Sequence, residues 1–140
     1  MEISTDPHRL DIGLIHHYLS EQSYWARAIP RTTLEKALRH SLCFGLYEDG
    51  HQLAFCRVIT DYATYGYLSD VFVLPEAQGR GLGKALVAAV MAHPDLQGLR
   101  RFALATSDAH QLYARHGFVA PAKPESLMER YDPDIYLRSL

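Results

Sequence analysis

Residues 78–84 read Gln78-Gly79-Arg80-Gly81-Leu82-Gly83-Lys84. Glycines at alternate positions, interleaved with two cationic side chains, suit the holding of a bulky anion. The first backbone N–H groups of a helix have no internal partners. Glycine lets such amides crowd around a ligand without a Cβ in the way, and the helix dipole adds positive potential at the same end. A diphosphate is the natural occupant, with Arg80 and Lys84 adding charge. Two common diphosphate motifs do not fit. A Walker loop needs Gly-x-x-x-x-Gly-Lys-Ser/Thr, whereas Gln78 stands five before Gly83 and Ala85 follows Lys84. The dinucleotide fingerprint Gly-x-Gly-x-x-Gly ends on Lys84 when started at Gly79, and on Leu86 when started at Gly81. A glycine-rich turn without a ligand is the structural alternative.

Metal chemistry has little support. Cys43 and Cys56 fit neither a disulfide framework nor a zinc site. The histidines are scattered, and none pairs with a cysteine or carboxylate at ligand spacing. No metal is expected.

The elements that must position the loop follow from periodicity and turn signals. Asp11 to Tyr24 carries Ile12, Ile15 and Leu19 at helical spacing, followed by Trp25. Pro30 breaks the chain, and Thr32 or Thr33 is expected to cap a second helix bearing Leu34, Ala37 and Leu38. Leu42 to Tyr47 and Gln52 to Thr60 read as strands joined by an Asp49-Gly50 hairpin turn. Counting outward from a two-residue turn sets Cys43 directly opposite Cys56. Tyr65 to Leu74 is a third strand, ended by Pro75. After the glycine loop, Leu82, Leu86, Ala89 and Val90 mark the buried face of a helix, which Pro94 and Gly98 close. Phe102 to Ala105 is a short strand. Asp108 is expected to N-cap a helix over Ala109 to His116 that stops at Gly117. From Phe118 the chain returns to strand or loop, with Pro121, Pro124 and Pro133 making the tail irregular. The order predicts an α/β (α+β) domain: a mixed, mostly antiparallel central sheet flanked by helices.

The chain has 140 residues, 48% of them hydrophobic, and a formal net charge of −2. That length suits one domain over 1–140 with a real core. The charge balance gives no case for a nucleic-acid partner. Met1 to Asp6 lacks a signal pattern, and the longest apolar run, Leu86 to Ala92, is too short for a bilayer. A cytoplasmic protein with no membrane partner is expected.

At the glycine loop the chain resembles the GNAT superfamily of N-acetyltransferases. The family's pyrophosphate motif is Gln/Arg-x-x-Gly-x-Gly/Ala, matched by Gln78 to Gly83. The strand and proline before it match Tyr67 to Pro75, and a second motif, Leu-Tyr-x-x-x-Gly-Phe, is met by Leu112-Tyr113 and Gly117-Phe118. Where the family often has Asn, seven residues before the tyrosine, this chain has Thr106. The resemblance implies acetyl-CoA as acyl donor. Gln78, Gly79, Arg80, Gly81, Leu82, Gly83 and Lys84 would hold its diphosphate, and main-chain groups of Phe72 and Val73 its pantetheine arm. An amide there would polarise the carbonyl. It further implies acetyl transfer to a primary amine of a small molecule or peptide. An ordinary thiol has a pKa of about 8.5, so release of the leaving thiolate gains from a proton, and Tyr113 is the matching general acid; His110 lies one turn before it. A lysine-like amine is neutral less than about one part in a thousand of the time at pH 7, a cost of about 4–5 kcal/mol, so a base helps. Asp70, on the strand beside the acetyl site, is the first candidate and Asp61, in the preceding turn, the second. Tyr24, Trp25 and Asp61 are expected to meet the acceptor, with Arg27, Arg57, Tyr62 and Tyr65 nearby. A homodimer is compatible with this reading. The alternative function is a non-catalytic acyl-CoA-binding module of the same fold.

Overall fold

The structure is a computed structural model and describes residues 1–139. Helix α1 (Ile12–His17) runs on as a π turn over Tyr18–Gln22. Asp11 caps it, its side chain accepting from the Leu14 amide at 3.1 Å. Helix α2 (Arg31–Arg39) starts directly after the extended Pro30. Thr32 and Thr33 therefore lie inside its first turn and cap nothing, because the proline already sets the entry angle.

Strands β2 (Leu42–Glu48), β3 (His51–Thr60) and β4 (Tyr65–Val73) form an antiparallel meander, with β1 (Glu2–Ser4) added beside β2. Asp49 and Gly50 both have positive φ, 52° and 79°, as a two-residue hairpin turn of the primed type requires. The register then departs from simple counting. Glu48 faces His51 and Tyr47 faces Gln52, but Leu46 faces Ala54, so Leu53 is an extra residue. Cys43 consequently pairs with Arg57, and Cys56 with Phe44. The expected cysteine pair does not form, since one inserted residue carries everything beyond it to the other face. The two thiols lie in different cores.

Helix α3 (Leu82–Ala92) crosses from β4 to β5 (Arg101–Leu104), which joins β4 in parallel. The five-stranded order is β1-β2-β3-β4-β5. On one face Leu86, Val87 and Val90 of α3 pack against Phe44, Leu46, Cys56, Val58 and Leu68. On the other, Ile15 of α1, Leu19 of the π turn, and Leu34 and Leu38 of α2 meet Cys43, Phe55 and Phe72. Each fully buried aliphatic side chain contributes about 1.5–3 kcal/mol. Helix α4 (His110–Ala114) is shorter than expected. Its entry is organised by Thr106, whose Oγ1 accepts from the Ala109 amide at 3.0 Å, and not by Asp108. Beyond Phe118 the described residues form two short 3-10 turns, Pro124–Ser126 and Leu137–Ser139, within irregular chain and with no strand.

Candidate active site

Two irregularities of β4 create the site. Phe55 faces Phe72 and Arg57 faces Ser69, so Asp70 and Val71 together stand against Cys56. This is a β-bulge, and Asp70 takes a left-handed φ of 57°, a region where aspartate is among the tolerated residues. The extra residue reverses the alternation of the strand. Leu68 packs toward α3, whereas Phe72, four positions on, packs with α1 and α2. The second irregularity is the parting of β4 from β5. Their pairing runs from Tyr65–Arg101 to Leu68–Leu104 and ends there, while β4 continues to Val73. The seam opens into a cleft of about 790 Å³, lined by residues 67–73 on one side and 104–109 on the other. Leu112 and Tyr113 line it from α4, and Tyr18, Tyr24 and Trp25 from the end of α1.

The glycine loop adjoins this cleft. A smaller hollow of about 220 Å³ is lined by Gln78, Gly79, Gly81 and residues 82–84, and shares Val73, Gln78, Gly83 and Leu112 with the larger one. Gly79 and Gly81 have φ of 81° and 78°, and a Cβ at either would meet no protein atom within 4 Å. Side chains there would project into open space. Gly81 is the N-cap of α3, and the helix ladder begins with the Ala85 amide donating to the Gly81 carbonyl at 3.1 Å. The amides of Leu82, Gly83 and Lys84 precede that ladder, as an anion seat requires. Gln78 anchors the loop by donating to the Val73 carbonyl at 3.1 Å. Arg80 is turned aside, donating to Glu48 at 2.6 Å, and each partner's pKa moves to favour its charged form. Lys84 is the loop cation that lines the seat. A diphosphate and a slender arm running into the seam fit these residues.

Tyr113 is buried at the cleft. Burial pushes its phenol up to about 12, with smaller contributions from Cys56, Asp108 and Tyr24. Asp70 also lines the cleft, but its carboxylate is already gripped. Oδ2 accepts from Arg57 Nε at 2.5 Å and Oδ1 from Trp25 Nε1 at 2.8 Å. That is not the arrangement of a free base, which needs a lone pair open to the amine or to water. Asp61 is further from the expectation. It is fully exposed, and its carboxylate accepts from the amides of Ala63, Thr64 and Tyr65 and from the Thr64 hydroxyl. Those bonds, the Thr64 hydroxyl first, hold it well below the usual carboxylate range. Asp61 organises the β3–β4 hairpin and does not line the cleft.

Tyr24 and Trp25 do line it, packed edge to face at 5.0 Å. The Tyr24 hydroxyl shares a hydrogen bond of 2.6 Å with Ser107 Oγ on the far bank. Tyr62 and Tyr65 are exposed, and they, Arg27 and His110 are not among the cleft residues. Tyr18, which stacks on Phe72 at 4.1 Å, and Ser107 are cleft residues the sequence did not single out. Tyr18 lies within the predicted first helix, but only the packing tells it apart from other aromatics. Among the described residues, no group of three His, Cys, Asp or Glu could hold a metal ion, and no helix is long and apolar enough to cross a membrane.

Comparison with known proteins agrees with this geometry. The family model described as acetyltransferase (GNAT) domain matches residues 39–120, which include the loop, the bulge and α4. A Gibberella zeae protein assigned as an acetyltransferase is 37% identical, over 81% of this chain and 76% of its own length. The crystal structure of a Xanthomonas campestris pv. campestris protein assigned to the same family is 64% identical. It covers 96% of this chain and 95% of that one, with a TM-score of 0.94. The glucosamine-6-phosphate N-acetyltransferase of Arabidopsis thaliana shares the fold at 17% identity, with a TM-score of 0.63 over 93% of this chain and 97% of its own.

Proposed function

We propose, from the premise that this chain belongs to the GNAT family of acetyltransferases, that it moves the acetyl group of acetyl-CoA to a primary amine of a small molecule or peptide. The observation that carries the reading is the continuity of the site. A glycine seat built for a diphosphate at the start of α3 leads directly into a seam where β4 has lost its neighbour. When bound, acetyl-CoA supplies an activated thioester. Amides of residues 79–84 and the Lys84 ammonium hold its diphosphate. The main chain of β4 at Phe72 and Val73 would hold an extended arm much as a strand does; Phe72 faces Phe55 of β3, and the Val73 carbonyl already accepts from Gln78, so the Val73 amide is the group on offer.

Tyr113 is the proposed proton donor. A phenol pushed up to about 12 stays protonated at neutral pH. It is a weak acid beside an ordinary thiol near about 8.5, but a thiolate in the same poorly solvated place is also made more basic. The phenol therefore still holds its proton when the leaving sulfur becomes charged. With Asp70 held by Arg57 and Trp25, the acceptor amine loses its proton to water in the open cleft or arrives neutral. A cytoplasmic setting, where the free Cys43 and Cys56 stay reduced, belongs to the same proposal; nucleic acid and membranes play no part in it.

The test is thiol release from acetyl-CoA against a panel of arylalkylamines, polyamines, aminoglycosides and peptides, with calorimetric titration of CoA alongside. Turnover with at least one amine is expected. Micromolar CoA binding with no thiol release from any amine would instead support the non-catalytic acyl-CoA-binding module. No CoA binding would remove both.

A further inference from the structure

We propose that Asp70 is a positioning residue for the acceptor: held between Arg57 and Trp25, its carboxylate fixes the indole as the wall against which the amine packs. The inference rests on the acetyl-transfer reading and assigns a part of that site which the glycine loop does not reach.

The grip is complete on the protein side. The bulge inserts Asp70 at the mouth of the seam, with its side chain 6% exposed. Arg57, 15% exposed, donates from Nε to one carboxylate oxygen and from Nη1 to Ser41 Oγ at 3.0 Å. Trp25 Nε1 donates to the other oxygen. A buried ion pair carries a desolvation cost that apolar residues of similar size would avoid, and the left-handed backbone at Asp70 adds strain. The pair's evident work is to orient Trp25. Its N–H edge is locked, while the residue remains 38% exposed and lines the cleft. Tyr24 braces it edge-on and reaches across the seam to Ser107. The charges of Arg57 and Asp70 offset each other, so the wall presents an aromatic face with little net charge. That face suits the apolar or aromatic carbon skeleton of an amine.

Trp25 is the chain's one tryptophan, so emission reports this site alone, with or without substrate. In Asp70→Gly, which suits the left-handed backbone and removes the acceptor of the Trp25 N–H, emission anisotropy is expected to fall and acrylamide quenching to rise about twofold. Unchanged anisotropy and quenching would overturn the clamp. Trp25→Phe keeps the ion pair and guards against misfolding of the first variant. With phenethylamine as acceptor, each variant is expected to raise KM about tenfold with a smaller change in kcat, and the double variant to add little more. The rising limb of kcat/KM with pH should persist in Asp70→Gly. Loss of that limb with a kcat drop beyond a hundredfold, and a near-normal Trp25→Phe, would make Asp70 the base instead. If wild type acetylates no amine in the panel, the acetyl-transfer reading fails and the acceptor role with it, while the anisotropy result still decides whether the clamp exists.

Discussion

The two ends of the cleft are built from different materials. The end proposed to seat the diphosphate is seven consecutive residues, Gln78 to Lys84, and its working groups would be mostly backbone amides exposed by glycines of left-handed φ. The acceptor end is a chain of side chains, Ser41–Arg57–Asp70–Trp25 and Tyr24–Ser107, whose hydrogen-bonded partners lie 16, 13, 45 and 83 positions apart. A site made of backbone is specified locally, by where side chains are absent. A site made of side chains is specified by the whole fold, because each group arrives on a different element. The first kind can change its side chains, provided its glycines stay, and keep its ligand. The second can change its ligand by changing one residue.

The strongest way to break this contrast is Gly81→Val. A β-branched residue at φ of 78° is strained and would extend into the seat. CoA affinity should fall about a hundredfold, equivalent to about 2.7 kcal/mol, in calorimetry on protein shown by melting to be folded. Trp25 emission should be unaltered. A matching disturbance of Trp25 would show that the two ends are not separable. Next is Tyr113→Phe, which sits where the ends meet. Its kcat should drop about a hundredfold with the CoA Kd within twofold, and an unchanged kcat would remove Tyr113 from the chemistry. Its pH behaviour has a definite sign. The folded-state pKa, about 12, lies above the unfolded value of about 10, so the folded state retains the proton longer. The stabilisation is full below pH about 10 and is lost as the pH rises through about 12. The phenol should therefore impose no fall in kcat below about pH 10. The smallest effect is expected for Tyr24→Phe. It removes one exposed hydrogen bond, worth about 0.5–1.5 kcal/mol, and should raise acceptor KM about two- to tenfold. CoA affinity weakening in step would again join the ends.

The same contrast explains what could be read in advance. The meander, the crossover through α3 and the cradle all follow from short-range spacing, and the sheet has the expected mixed, mostly antiparallel form. The register errors have one physical source. Whether a strand holds an extra residue depends on its neighbours. Leu53 broke the predicted Cys43–Cys56 register, and the Asp70–Val71 bulge changed which face each later β4 residue takes. Asp70 was placed at the cleft by strand position alone, and its partners Arg57 and Trp25 were invisible at that level. Asp61, one residue beyond β3, was drawn to the acceptor by proximity in sequence, but the amides of its own turn claim its carboxylate. β1 is three residues long, too short to show a period.

The parting of β4 and β5 after Leu68 and Leu104 has a further consequence, in the exchange of backbone hydrogens with solvent. Inside a well-packed sheet, amides exchange only when the structure opens, and so exchange slowly. Between Ser69 and Val73, alternate backbone groups face the seam, where no neighbouring strand covers them. They are expected to exchange faster than the amides of β4 that are paired on both sides. On the proposed function, an extended arm bound in the seam would take the place of the missing neighbour and slow that exchange.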